Sequence, residues 1–146
     1  MPGRFLLSKT IEGMMEMSDM LQALLGAESS VEKEVYIKRF GGHFRIKAID
    51  GKTLTSLQEQ STHYVGKGQN RKKQFNEEEF NGLIIAHSCI DPDFNNAELK
   101  KKFNANDAAD CIQKALLAGE IMKLQEEIMK LSGFDDGDEE IEEVKN

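Results

Sequence analysis

The chain has 146 residues, 39% apolar and 31% charged, with no Trp and a formal charge of −7. That length suits one domain with a real core, and no apolar run after the first few residues is longer than Leu83 to Ala86, far too short to span a bilayer. Seven acidic residues and one Lys fall in 135–146, leaving the other 134 residues at about −1, so the body lacks the broad positive field of a nucleic-acid binder.

Residues 1–17 read as an N-terminal extension. Phe5-Leu6-Leu7 is too short an apolar core for a signal peptide. Ile11, Met14, Met15, Leu21, Leu24 and Leu25 recur near helical spacing, with Ser18 placed to cap a helix and Gly26 to stop it. Met14 and Met15 belong to a Met-rich stretch whose pliable side chains suit either a core edge or an adaptable contact surface.

VEKEVYIKRF-GG-HFRIKAI predicts a β-hairpin. A two-residue turn at Gly41-Gly42 would set Ile37 opposite Ile46 and Val35 opposite Ala48. One face would then carry Val35, Ile37, Phe44, Ile46 and Ala48, and must be covered by helices. The other would carry Tyr36, Lys38, Phe40, His43, Arg45 and Lys47, a basic and aromatic mixture that suits either solvent or nucleic acid. Thr53 is expected to cap a helix with Leu54, Leu57, Ser61 and Tyr64 on one stripe, followed by an exposed basic loop over residues 66–74. That loop lacks the Gly-Lys-Ser/Thr arrangement of a phosphate-binding loop.

Asn76 and Glu79 form a capping-box pattern, with Phe75 and Phe80 spaced as a hydrophobic staple. The core stripe of this helix is expected to be Phe80, Leu83, Ile84 and His87, with Pro92 ending the element. In HSCIDPDF, His87, Cys89, Asp91 and Asp93 alternate. No second Cys/His cluster exists to complete a zinc site, and on a helix His87 and Cys89 point apart, so neither a metal centre nor a Cys/His hydrolase is expected. The two cysteines form no disulfide framework and fit a reducing compartment.

Asn95 with Glu98 predicts a short helix toward Phe103, and Asn106 starts one carrying Ala109, Ile112 and Leu116 into Gly119. There a glycine inside the helical pattern suggests a bend or a close backbone contact. Leu117, Ile121, Leu124, Ile128 and Leu131 then fall on one helical stripe, with a Glu126–Lys130 pair opposite, Gly133 as a left-handed stop and Phe134 folding back. The stripe reads as a core face, or in part as a docking face for a partner helix. With Met14 and Met15 it supplies the candidate partner-binding residues. Residues 135–146 read as a disordered, solubilising acidic tail. The fold class is α+β: a mainly helical single domain over 18–134 with one β-hairpin packed on the helices.

The order KEVYIKRF…FRIKAIDGKTL, FNEEEFNGLIIAHSCIDPDF, DAADCIQKALLAGEI and LSGF resembles the XkdN-like family of phage tail assembly chaperones, over roughly residues 18–136. Asp91-Pro92-Asp93-Phe94 and Leu116-Leu117-Ala118-Gly119-Glu120-Ile121 are the most specific pieces. The resemblance implies a non-enzymatic protein without cofactors that acts in the bacterial host cytoplasm and is absent from the finished virion. It also implies a tape-measure protein held soluble and tail tube subunits recruited around it; self-association is a further option. A small nucleic-acid-binding regulator using the basic hairpin face and the 66–74 loop is the alternative.

Overall fold

Alternating apolar residues build the first sheet. β1 (Glu32–Ile37) and β2 (Gly42–Lys47) pair antiparallel, with Val35 opposite Phe44 and Ile37 opposite Gly42. The register is offset by four residues from that of a two-residue Gly-Gly turn. Residues Lys38–Phe40 wind into a 3₁₀ turn, and Gly41, at φ +61°, donates its amide to the Lys38 carbonyl. Because the offset is even, the apolar face survives it: Val35, Ile37, Phe44 and Ile46 are all buried. The structure, a computed structural model, describes residues 18–27 and 31–134. Met14, Met15, the N-terminal extension and the acidic tail therefore lie outside the described residues.

α1 occupies residues 18–25, with Ser18 already helical, and closes where the Gly26 amide donates to the Gln22 carbonyl. After β2, α2 (Gly51–Gln60) is capped by the Asp50 carboxylate, which accepts from the Thr53 amide. Asp50 is thus the cap, Thr53 supplies the amide that it holds, and Tyr64 lies beyond the helix. The chain then forms a second hairpin, β3 (Thr62–Val65) with β4 (Lys72–Phe75), in place of the expected irregular loop. Its base is tied down by the Asn76 amide, which donates to the Ser61 carbonyl.

α3 (Glu77–Ser88) starts as its sequence predicts. Asn76 accepts from the Glu79 amide, and the Phe75 and Phe80 rings meet edge to face at 5.1 Å. Its buried residues are Phe80, Gly82, Ile84, Ile85 and Ser88, while Leu83 is half-buried and His87 exposed. The buried surface is wider than a single stripe because α3 is central, packed against α2, α5 (Ala108–Ala115) and α6 (Ala118–Met129). Gly82 allows the close approach to α5: a Cβ there would stand 3.1 Å from the Ala109 carbonyl oxygen.

β5 (Cys89–Asp91) follows α3 directly and adds to the far side of β2, giving the sheet order β1-β2-β5. α4 (Ala97–Lys102) is capped by Asn96, whose Oδ1 accepts from the Glu98 and Leu99 amides, rather than by Asn95, whose Oδ1 accepts from Lys100 Nζ. α5 is capped by Asp107, whose carboxylate accepts from the Asp110 amide, while Asp110 accepts from the Asn106 amide. This α+β architecture seats its core between the β1-β2 face and α3, α5 and α6, where Ile37, Ile46, Ile84, Ile85, Ile112, Leu124 and Ile128 are fully enclosed. Each contributes about 1.5–3 kcal/mol through burial.

Ser88 is the exception in this core: its Oγ is enclosed with no partner among the described residues. An unpaired buried hydroxyl costs about 1–3 kcal/mol. Ser88→Ala is therefore expected to hold or raise the urea midpoint of unfolding. A clear fall would show that the hydroxyl is bonded in solution.

Candidate protein-binding groove

The helical pattern from Ala108 onward breaks at Leu116-Leu117, both of which are extended. The break is fixed from both sides. The Glu120 carboxylate accepts from the Leu117 amide at 2.8 Å, and also receives Nε and Nη2 of Arg39 at 2.8 and 2.7 Å. Arg39 Nη2 donates in addition to the Ala115 carbonyl. A planar guanidinium with this forked reach locks the turn after β1 to the α5–α6 junction. Gly119 therefore sits in the first turn of α6, with open space where a Cβ would be, and marks neither a bend nor a close contact.

Arg39 holds the Glu120 carboxyl below its usual range, mainly through the side-chain hydrogen bond, and the guanidinium is raised in return. A depressed carboxylate contributes stability that is present above its ordinary value near 4.5 and is lost as pH falls through its lower folded value. Glu120→Gln is thus expected to lower the melting temperature at pH 7. The deficit against the parent should shrink as pH drops below about 4, where the parent loses the same charge. A pH-independent deficit would mean that the loss is steric.

Fixing Arg39 also fixes Phe40, whose ring stacks on Phe44 with centroids 5.9 Å apart. Phe44 in turn meets Phe94 at 6.0 Å. Phe94 is delivered by the Asp91-Pro92-Asp93 turn, which contains a cis Asp91–Pro92 bond. Leu99, Phe103 and Leu116 complete an open apolar groove of about 460 Å³. Its rim is cationic: Arg39 lies over the Phe40 ring at 4.3 Å and Lys102 over Phe103 at 5.6 Å. Lys100 and Lys101 stand beside Lys102 in the last turn of α4. Phe40 remains 51% exposed, so the groove floor is continuous with an apolar lip.

The predicted stripe is divided by the fold. Ile121, Leu124 and Ile128 are core residues, packed against α3 and the sheet, and are closed to any partner while the domain is folded. Leu131 is half-buried and Leu117 is 58% exposed, next to Leu116 of the groove. Gly133 adopts the expected left-handed conformation at φ +99°, and Lys130 pairs with Glu126 at 3.4 Å. Phe134 does not fold back: it is 63% exposed. Among the described residues, a cluster of exposed apolar side chains lies on α1, where Met20, Leu21, Leu24 and Leu25 are 68, 57, 74 and 76% exposed.

The basic hairpin face is partly neutralised. Arg45 lies 3.6 Å from Glu32 on that face. Lys38 and Phe40 have left the strand for the turn. Positive charge concentrates instead on the β3-β4 hairpin, where Arg71 covers the Tyr64 ring at 4.1 Å. Cys89 is buried, donates to the Pro92 carbonyl at 3.3 Å, and is pushed by burial up to about 12, the reverse of an activated thiolate. His87 is lowered by partial burial and by Lys47.

Residues 20–145 match the family described as phage XkdN-like tail assembly chaperone protein. The chain belongs to the XkdN-like family of phage tail assembly chaperones. Similar relatives include the Bacillus subtilis (strain 168) protein YqbN, 28% identical over 69% of this chain and 69% of that protein. XkdN of the phage-like element PBSX, from the same strain, is 26% identical over 68% of this chain and 69% of its own length. A crystal structure of YqbN superposes with a TM-score of 0.55 at 19% identity, covering 75% of this chain and 90% of the other, a likeness of fold. An XkdN-like chaperone is an assembly protein, one with protein partners in tail assembly. Among the described residues, no helix is long and apolar enough to cross a membrane.

Proposed function

We propose that this XkdN-like chaperone binds the tape-measure protein, holds it soluble in the host cytoplasm, and helps recruit tail tube subunits around it before leaving the particle. Membership of the family carries this reading. The groove gives it a physical basis: an amphipathic client helix would lay its apolar side chains against Phe40, Leu99 and Phe103, with acidic flanks meeting Lys102. Leu117, exposed beside the groove, extends the same surface, and the pliable Met14 and Met15 would add an adaptable contact from the N-terminal segment.

The test is co-expression with the long helical tape-measure protein of the same phage or prophage, followed by affinity capture. The tape-measure protein is expected to be insoluble alone and soluble when co-purified. Lys102→Glu should reduce the amount captured severalfold without altering the fold. A tape-measure protein that neither binds nor gains solubility would sink the proposal and leave the family's role to a different client.

A further inference from the structure

We propose that the groove between the β1-β2 turn and α4 is filled by α1 of a second copy of this chain. Two incomplete surfaces are present on one molecule. The groove is apolar, open and cationic at its rim. Among the described residues nothing covers the apolar side of α1, whose Met20, Leu21, Leu24 and Leu25 fall at i, i+1, i+4 and i+5, on one face of the helix. An eight-residue helix is marginal in water on its own and is stabilised chiefly by packing its apolar face.

Charge selects the pairing. α1 itself carries Asp19 and no Lys or Arg, and Glu12, Glu16 and Glu28 lie on either side of it in the sequence. The groove presents Lys102, with Lys100 and Lys101 alongside, while the charge of Arg39 is taken up by Glu120. An apolar segment with only acidic charge and an apolar groove edged by lysines are complementary in both respects.

Geometry selects a second copy over the same one. Gly26 and Ala27 are bonded back onto the helix end, to the carbonyls of Gln22 and Leu24, so they add no reach. At the other end, Val31 is held in the sheet through its carbonyl, which accepts from the Ala48 amide. Residues 28–30 are too few to fold into a further element between Ala27 and Val31. In the structure α1 leaves the groove of its own chain unfilled: Met20, Leu21, Leu24 and Leu25 stay exposed while the groove is open. A second copy is free of the short tether that fixes α1 beside its own β1. The two surfaces are different, so the contact closes either by mutual exchange into a dimer or by head-to-tail propagation. This inference concerns the chain before a client is bound: self-association and client binding would use the same groove and exclude each other, and sedimentation of the chain alone reads only the first.

The experiment uses the full chain in sedimentation velocity over a wide concentration range, with circular dichroism to verify folding. The parent is expected to exceed the 16.4 kDa monomer mass reversibly as concentration rises. Leu24→Glu/Leu25→Glu, on the helix, and Lys102→Glu, on the rim, should each weaken association at least tenfold. Mixing these two variants should restore a heterodimer, because one supplies an intact groove and the other an intact helix. Phe40→Asp, at an exposed site, serves as a second groove variant. A parent that is monomeric at every concentration overturns the proposal, as does association that survives the groove variants or a mixture that shows no complementation, which would indicate helix-to-helix pairing.

Discussion

Leu124→Asp is expected to unfold the domain, whereas Leu117→Asp on the same helical stripe should leave it folded. Leu124 is fully buried between α3 and the sheet, while Leu117 is 58% exposed. Truncating such a leucine to alanine costs about 2–5 kcal/mol through lost burial and the cavity left behind. A carboxylate without a partner adds several kcal/mol more, because its hydration is lost and nothing replaces it. Small domains are stable by only about 5–15 kcal/mol, so the sum removes most or all of the margin. Leu117→Asp changes a solvated position and should stay within about 0.5 kcal/mol. Urea unfolding followed by circular dichroism separates the two. A folded Leu124→Asp protein would mean that the α6 stripe is not core and would return Ile121, Leu124 and Ile128 to the list of binding residues.

That contrast also shows how far the sequence can be read. Periodicity puts Leu117, Ile121, Leu124, Ile128 and Leu131 on one stripe but cannot say which of them lies past a helix start. The start is set by Glu120 reaching back to the Leu117 amide while holding Arg39, a residue 81 positions away. Where a local rule is satisfied by local atoms, the reading is direct: Asn76 caps α3, Phe75 meets Phe80, and Gly133 turns left-handed. The faces of the first hairpin were legible because the alternation of Val35, Ile37, Phe44 and Ile46 tolerates any even offset. The register was not, because the turn is shaped by Arg39 and not by the two glycines alone.

The second hairpin is hard to read from the sequence for a different reason. β3 and β4 bury almost nothing and pair only with each other, so Thr62 to Phe75 carries no apolar alternation to reveal strands. The groove is the least legible feature. Phe40, Phe94 and Phe103 come from a turn, a loop and a helix end, and nothing local links them. The Asp91-Pro92-Asp93-Phe94 motif was visible as a family signature, but its packing against Phe44 needed the fold.

Gly82→Leu is expected to destabilise this domain strongly, and Gly82→Ala to be close to neutral. α3 and α5 meet at this glycine, where a Cβ would lie 3.1 Å from the Ala109 carbonyl oxygen and 3.3 Å from the Ala109 Cβ. For alanine, a shift of a few tenths of an ångström offsets the gain of about 1 kcal/mol in helix propensity. Leucine cannot be accommodated by a rotamer, since α5 is pinned by buried Cys111 and Ile112 on its inner face. The helices must separate, at a cost of about 1–3 kcal/mol for overpacking and more where neighbours lose contact. Because α5 leads straight into Ala115 and Leu116, that separation would also move one wall of the groove. Gly82→Leu should therefore lower the urea midpoint and, in whatever fraction stays folded, weaken tape-measure capture. Stability lost with capture unchanged would mean that the groove wall is held by Arg39 and Glu120 independently of the α3–α5 contact.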